Sequence, residues 1–225
     1  MHKVVGLALI ALSSFACTSK QGDSIGNETV EVSTIGATVD TIVVKEALRQ
    51  KKALIDSLFD VEIKDTLLTP NRKQFQVWVK LPNSGELTQV VNNNWPEEVE
   101  STFNLQLDSQ GRIIRIAEMP YSESGDWDIM YSHYFTEEGK TFAFEKLVSA
   151  FNTFCPNNEL VDDVTREKVI NLYSPSFTRI DSTYKMTDEK GKDITSKKCE
   201  LQVNSETMIF KNLAAYLSAN KLNLK

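Results

Sequence analysis

Three short turns constrain this chain more than any other feature of its sequence. Asp108-Ser109-Gln110-Gly111, Thr136-Glu137-Glu138-Gly139-Lys140 and Asp188-Glu189-Lys190-Gly191-Lys192 each place a glycine between two strand-like runs. Glycine enters the left-handed backbone region at no steric cost, so a short loop carrying one folds the chain back as a β-hairpin. The preceding runs have the matching period of two. Phe75, Val77, Val79 and Leu81 alternate with Gln74, Gln76, Trp78 and Lys80, and Phe103, Leu105 and Leu107 alternate with Thr102, Asn104 and Gln106. Such alternation is expected of strands with one buried face. The second turn separates residues 127–135 from 141–151, and the third separates 178–187 from 193–203. Three hairpins imply at least six strands. The turn glycines lie 28 and 52 residues apart, so the pattern is a meander and not a strict repeat array.

Two stretches have a helical period instead. Across residues 40–59, Val44, Ala47, Leu48, Leu54, Ile55 and Leu58 recur at spacings of three and four, which predicts an amphipathic helix covering a core. Near the C-terminus, Ile209, Leu213, Tyr216 and Leu217 form a second stripe, with Ser205 available as N-cap. The expected fold class is α+β: a curved antiparallel β-meander of at least six strands with an N-terminal and a C-terminal helix.

The N-terminus is set apart from this body. His2 and Lys3 precede a nine-residue apolar run at 4–12, followed by small residues up to Cys17. The run is too short to span a bilayer and sits where a secretory signal carries its hydrophobic region. Ser14-Phe15-Ala16-Cys17 resembles a bacterial lipobox, although Phe15 is bulkier than that motif prefers. The resemblance implies cleavage before Cys17 and acylation of its sulfur. Several acyl chains, each contributing about 0.8 kcal/mol per buried CH₂, would hold the protein on a membrane. Residues 18–39 are rich in Ser, Thr and Gly and read as a flexible tether, with Val30, Val32 and Ile35 as an alternative short edge strand. The expected organisation is a signal peptide at 1–16, anchor and tether at 17–39, and a single domain at 40–225.

Removing 16 of the 225 residues leaves 209, and the loss of Lys3 takes the net charge from −6 to −7. An acidic chain without a clustered Lys/Arg stripe is not expected to bind nucleic acid. Two cysteines remain in the body, Cys155 and Cys199. In an oxidising compartment they are candidates for one disulfide; two buried thiols are the alternative. Their spacing fits neither a redox nor a zinc motif.

Chemistry is sparse. His133, the single histidine of the mature chain, shares a strand face with Trp127, Ile129, Tyr131 and Phe135, opposite Asp128, Met130, Ser132 and Tyr134. An imidazole on an aromatic face is more often a core or cavity-wall residue than a catalyst, and one histidine gives no metal cluster. The loop before it combines Glu123, Asp126 and Asp128 with Tyr121 and Trp127. That mixture suits stacking on a sugar or binding calcium, and a solvated structural turn explains the same residues. Tyr121, Glu123, Asp126, Trp127, Asp128, Tyr131 and His133 are therefore the ligand-binding candidates. No residue is assigned a catalytic role, and no metal or cofactor is expected.

Asp followed by Ser or Thr and a mainly aliphatic residue occurs at Asp23-Ser24-Ile25, Asp40-Thr41-Ile42, Asp56-Ser57-Leu58, Asp65-Thr66-Leu67 and Asp181-Ser182-Thr183. The pattern resembles the O-glycosylation sequon of Bacteroidetes envelope proteins, and Ser24 and Thr41, in or beside the tether, are the favoured sites. With the lipobox-like segment, the chain resembles the small envelope lipoproteins of that phylum. The resemblance implies attachment through acylated Cys17 to an envelope membrane, most simply the outer membrane. It carries no activity onto particular residues. The functional expectation is a non-catalytic module binding an envelope protein or glycan; a carrier of a lipid or other apolar ligand, or a hydrolase, are the alternatives.

Overall fold

The computed structural model describes residues 33–65, 74–82, 87–156, 159–161 and 163–222. Cys17 and Ser24 lie outside them. Helix α1 (Ser33–Asp65) is followed by β1 (Phe75–Lys80), β2 (Leu87–Gln89), β3 (Ser101–Leu107), β4 (Ile113–Pro120), β5 (Trp127–Phe135) and β6 (Thr141–Ala150). A small hairpin of β7 (Thr153–Cys155) and β8 (Glu159–Val161) precedes β9 (Thr165–Tyr173) and β10 (Arg179–Thr187). A 3-10 turn (Thr195–Lys197) and helix α2 (Leu213–Ala219) complete the described chain. Eight strands form one sheet in the order β10-β9-β6-β5-β4-β3-β1-β2, and all of its pairs are antiparallel. The α+β meander with a helix at each end is therefore the fold. Among the described residues, no helix is long and apolar enough to cross a membrane.

One backbone device repeats at three turns. Gly111, Gly139 and Gly191 have φ between 72° and 79°, and the N–H of each donates to the carbonyl of the residue three before it. A fourth turn, between β9 and β10, has no glycine. Phe177 holds φ 64° there while its N–H donates to Ser174 O. Its ring stacks on Tyr173 with centroids 4.7 Å apart, a contact that offsets the steric cost of the left-handed conformation.

Both faces of the sheet are covered. α1 lies on one, where Leu48 and Ile55 pack with Tyr134, Phe142, Ala143 and Leu172. On the other face Phe210, Leu213, Tyr216 and Leu217 close over Phe103, Leu105, Ile116 and Phe135, and Leu201, Val203 and Ile209 pack over Ile129, Tyr131, Phe144 and Val148. In β1 Val79 is fully buried, and Trp78 on the opposite face is partly buried against the α2 cluster.

Several local expectations are corrected. α1 begins at Ser33 and not at 40, so residues 33–39 extend a helix instead of a tether, and Ile35 is helical. Once nucleated, a helix adds one hydrogen bond per residue fixed, which favours continuation through weak formers. Of the predicted stripe, only Leu48 and Ile55 face the sheet; Val44, Ala47, Leu54 and Leu58 are exposed. Thr41 consequently lies within α1, exposed. The C-terminal helix is shorter than its stripe suggests. Asn212 is its N-cap, with Oδ1 accepting from Ala215 N at 2.8 Å, while Ser205 Oγ takes a hydrogen bond from Lys146. Residues 193–203 form no strand: Thr187 and Asp193 make an isolated bridge before the 3-10 turn. Cys155 and Cys199 are joined by a disulfide, which ties β7 to this irregular segment beside Met186 and Ile194.

Candidate functional site

The sequence candidates divide into two groups. Alternation along β5 places Trp127, Tyr131 and His133 on the α2 face. His133 Nε2 accepts a hydrogen bond from Phe210 N at 3.2 Å, which assigns the ring hydrogen to Nδ1. Phe135, Phe144, Phe210 and Tyr216 surround the ring at centroid distances of 4.8–6.3 Å. Burial without a charged partner lowers its pKa to about 3, so the imidazole is neutral. It fastens the C-terminal segment to the sheet. The space above this aromatic face is taken by the chain's own side chains.

Tyr121, Glu123, Asp126 and Asp128 form the other group, at the sheet end where β4 stops and β5 starts; all four are exposed. Asp128 turns toward the α1 face while Trp127 turns away from it, because successive strand side chains alternate. The loop is shaped locally. Gly125 has φ 72°, and the N–H groups of Gly125 and Asp126 donate to Ser122 Oγ and Ser124 Oγ. Tyr121 N donates to Glu100 O, and Phe151 N donates to Asp126 O, so the exposed ring of Phe151 shares this rim. On the adjoining hairpin Phe154 faces Leu160 in register, and both side chains are exposed. Among the described residues, no three His, Cys, Asp or Glu side chains converge as a metal site requires.

A polar cluster that the sequence reasoning missed lies beneath α1. Lys52 Nζ donates to Asp56 at 2.7 Å and to Glu145. Tyr134 donates its hydroxyl hydrogen to Asp56 at 2.7 Å. Arg115 donates to Ser132 Oγ at 3.1 Å, lies 3.7 Å from Asp56 and covers the ring of Phe59. Partly exposed Lys168 approaches Glu145 at 3.3 Å. Burial pushes the Tyr134 hydroxyl far above its ordinary range. Two cations, Lys52 and Arg115, thus meet two carboxylates, Asp56 and Glu145, so the charges balance inside the core. The available sequence signal was Lys52 itself, which sits at helical spacing among Leu48, Ile55 and Phe59.

A second missed group is Glu118 on the α2 face. Tyr216 donates to its carboxylate at 3.0 Å. Burial raises the Glu118 carboxyl above the usual range, although that hydrogen bond acts in the other direction. Burial and the adjacent Glu118 charge raise Tyr131 as well. Glu118 is half-buried and held by a fully buried tyrosine, an arrangement that packs α2 onto β4. These buried polar groups are engaged with one another, whereas the loop rim presents aromatic rings and acids to solvent. Compared with protein families, curated proteins and solved structures, the chain finds no match in any of the three.

Proposed function

We propose that this chain is a lipid-anchored lipoprotein of a bacterial cell envelope, attached through Cys17, whose domain is a non-catalytic binding module for a protein or glycan. One observation carries the binding reading: the rim of Tyr121, Glu123, Asp126 and Phe151 exposes aromatic rings beside carboxylates, while the buried cations Lys52 and Arg115 are paired with Asp56 and Glu145 within the fold. Aromatic faces stack on the apolar face of a sugar or anchor a peptide, and neighbouring carboxylates accept hydrogen bonds from hydroxyl or amide groups. The lipobox-like segment supports the anchor, and the sequon pattern supports O-glycosylation at Ser24 and Thr41.

Fractionation with palmitate labelling tests the anchor. The chain takes up label and stays with membranes, and Cys17→Ser abolishes both; a labelled, membrane-bound Cys17→Ser variant refutes it. For the rim, a glycan array and envelope crosslinking are compared between the parent and a Tyr121→Ala/Phe151→Ala variant. Loss of the bound species is expected. Undiminished binding, or no binding by the parent, removes the rim from consideration.

A further inference from the structure

α1 is longer than the sheet it covers. It meets β1 through Phe59 and Phe75 and β3 where Ile55 O accepts from Gln106. Asp56 reaches β4 and β5 through Arg115 and Tyr134, and Lys52 reaches β6 through Glu145. Finally Arg49 meets Asp181 of β10 at 2.6 Å. The helix therefore crosses the strands one after another and arrives at the edge near Lys45, which lies 3.9 Å from Asp181. Residues 33–44 continue beyond. At a rise of 1.5 Å per residue they extend about 18 Å past β10, the width of three to four strands at about 4.8 Å each. Ile42, Val43 and Val44 on this extension are exposed.

β10 itself is an open edge in its middle. Ser182, Thr183, Tyr184 and Lys185 are all exposed. Met186 N donates to Thr195 Oγ1 and Met186 O accepts from Ile194 N, so the backbone of residue 186 points away from β9. By alternation, that of Ser182 and Tyr184 does too. The segment around 194 closes one end of this edge, and an irregularity in register between Arg179 and Asp181 marks the other. The usable stretch is five residues, 181–185, and Thr183 is its centre.

We propose that a second copy of this chain pairs antiparallel with β10 about a twofold axis at Thr183, so that each α1 extends over the sheet of its partner. In that register Ser182 and Tyr184 of opposite copies exchange backbone hydrogen bonds, and Asp181 faces Lys185 of the other copy at two symmetric places. The charges are compatible. Lys185 and Lys168 are directly opposed across β9 and β10, a repulsive arrangement; Lys168 has Glu145, and the second copy brings to Lys185 the carboxylate of Asp181, which Arg49 and Lys45 of its own chain also meet. The antiparallel copy is self-complementary, as a closed twofold interface requires.

The test uses the full chain carrying Cys17→Ser, which leaves the Cys155–Cys199 disulfide as its cysteine pair. Analytical ultracentrifugation is expected to give a dimer. Thr183→Cys, opposite itself in a non-hydrogen-bonded pair about 4.5 Å apart at Cα, gives a covalent dimer on mild oxidation, whereas Thr88→Cys on the other sheet edge does not. Tyr184→Pro removes a donor facing the partner and none facing β9, so a monomer with an unchanged far-UV spectrum results. Lys185→Asp is the second variant, needed if the proline prevents folding; it raises the dissociation constant at least about tenfold. A parent that stays monomeric at every concentration, or a dimer that Thr183→Cys does not link, overturns the proposal.

Discussion

Lys52 of α1 and Glu145 of β6 form an ion pair with both side chains more than nine-tenths buried. It joins residues 93 positions apart and sits where α1 crosses the middle of the sheet. Apolar contact alone does not hold this helix: Leu48, Ile55 and Phe59 flank a charged centre. Partners within hydrogen-bond reach make the burial tolerable, because an unpaired charge in the same place would cost several kcal/mol.

Removing one member of this pair is therefore expected to be more damaging than removing both. Glu145→Ala leaves Lys52 with Asp56 alone and should cost about 3–5 kcal/mol in urea unfolding. Lys52→Met combined with Glu145→Met should recover a large part of that loss, since well-packed apolar side chains often replace a buried pair. Single variants within about 0.5 kcal/mol of the parent would show that the pair is not essential to docking α1.

His133 gives a pH dependence of defined sign. Its folded pKa, about 3, lies below the ordinary value of about 6.5, so between these the unfolded chain binds the extra proton. Stability rises with pH through that window. The contribution is complete above about 6.5 and is lost as pH falls toward 3, amounting to on the order of 4–5 kcal/mol at 1.36 kcal/mol per pH unit. His133→Gln should flatten the slope of unfolding free energy against pH in this interval. Equal slopes in parent and variant would contradict a neutral, buried imidazole.

The disulfide closes a separation of 44 residues. In the chain-entropy account a loop of that size contributes about 4 kcal/mol by restricting the unfolded chain. Thermal unfolding with and without reductant should show a large downward shift in Tm on reduction, matched by a Cys155→Ser/Cys199→Ser variant. Unchanged melting under full reduction would mean that the hydrophobic contacts around Met186 and Ile194 suffice.

Two polar residues separate the observed C-terminal cap from the expected one. Asn212→Ala removes the cap of α2 and should cost about 1 kcal/mol. Ser205→Ala, whose hydroxyl takes a hydrogen bond from Lys146, should change stability by no more than about 0.5 kcal/mol. The reverse order in chemical denaturation would place the helix start at Ser205.

The sequence by itself determined the turns that depend on local backbone rules, although after Gly191 the expected second strand is only an isolated bridge at Asp193. Gly111, Gly139 and Gly191 are legible because a left-handed turn position and its flanking alternation lie within a few residues of one another. The same alternation separates His133 from Tyr134 across β5. The turn at Phe177 was not legible, since the sign to look for is glycine and the compensating contact is a ring stack on Tyr173. The tether assignment ran too far for a similar reason: weak helix formers at 33–39 do not announce a helix that propagates into them.

Only the tertiary structure decided which polar residues enter the core and what the helices α1 and α2 cover. Lys52 reads as a solvated lysine until Glu145 is placed above it by the sheet register. Ser205 reads as a cap until residues 201–210 are drawn flat across the aromatic face by Phe210 and His133. In the candidate rim, the exposed acids of the loop were visible in sequence, whereas the adjacency of Phe151 required the β5–β6 pairing. Local geometry follows from neighbours in the chain; the free energy of burying a charge or extending a strap follows from groups that only folding brings close.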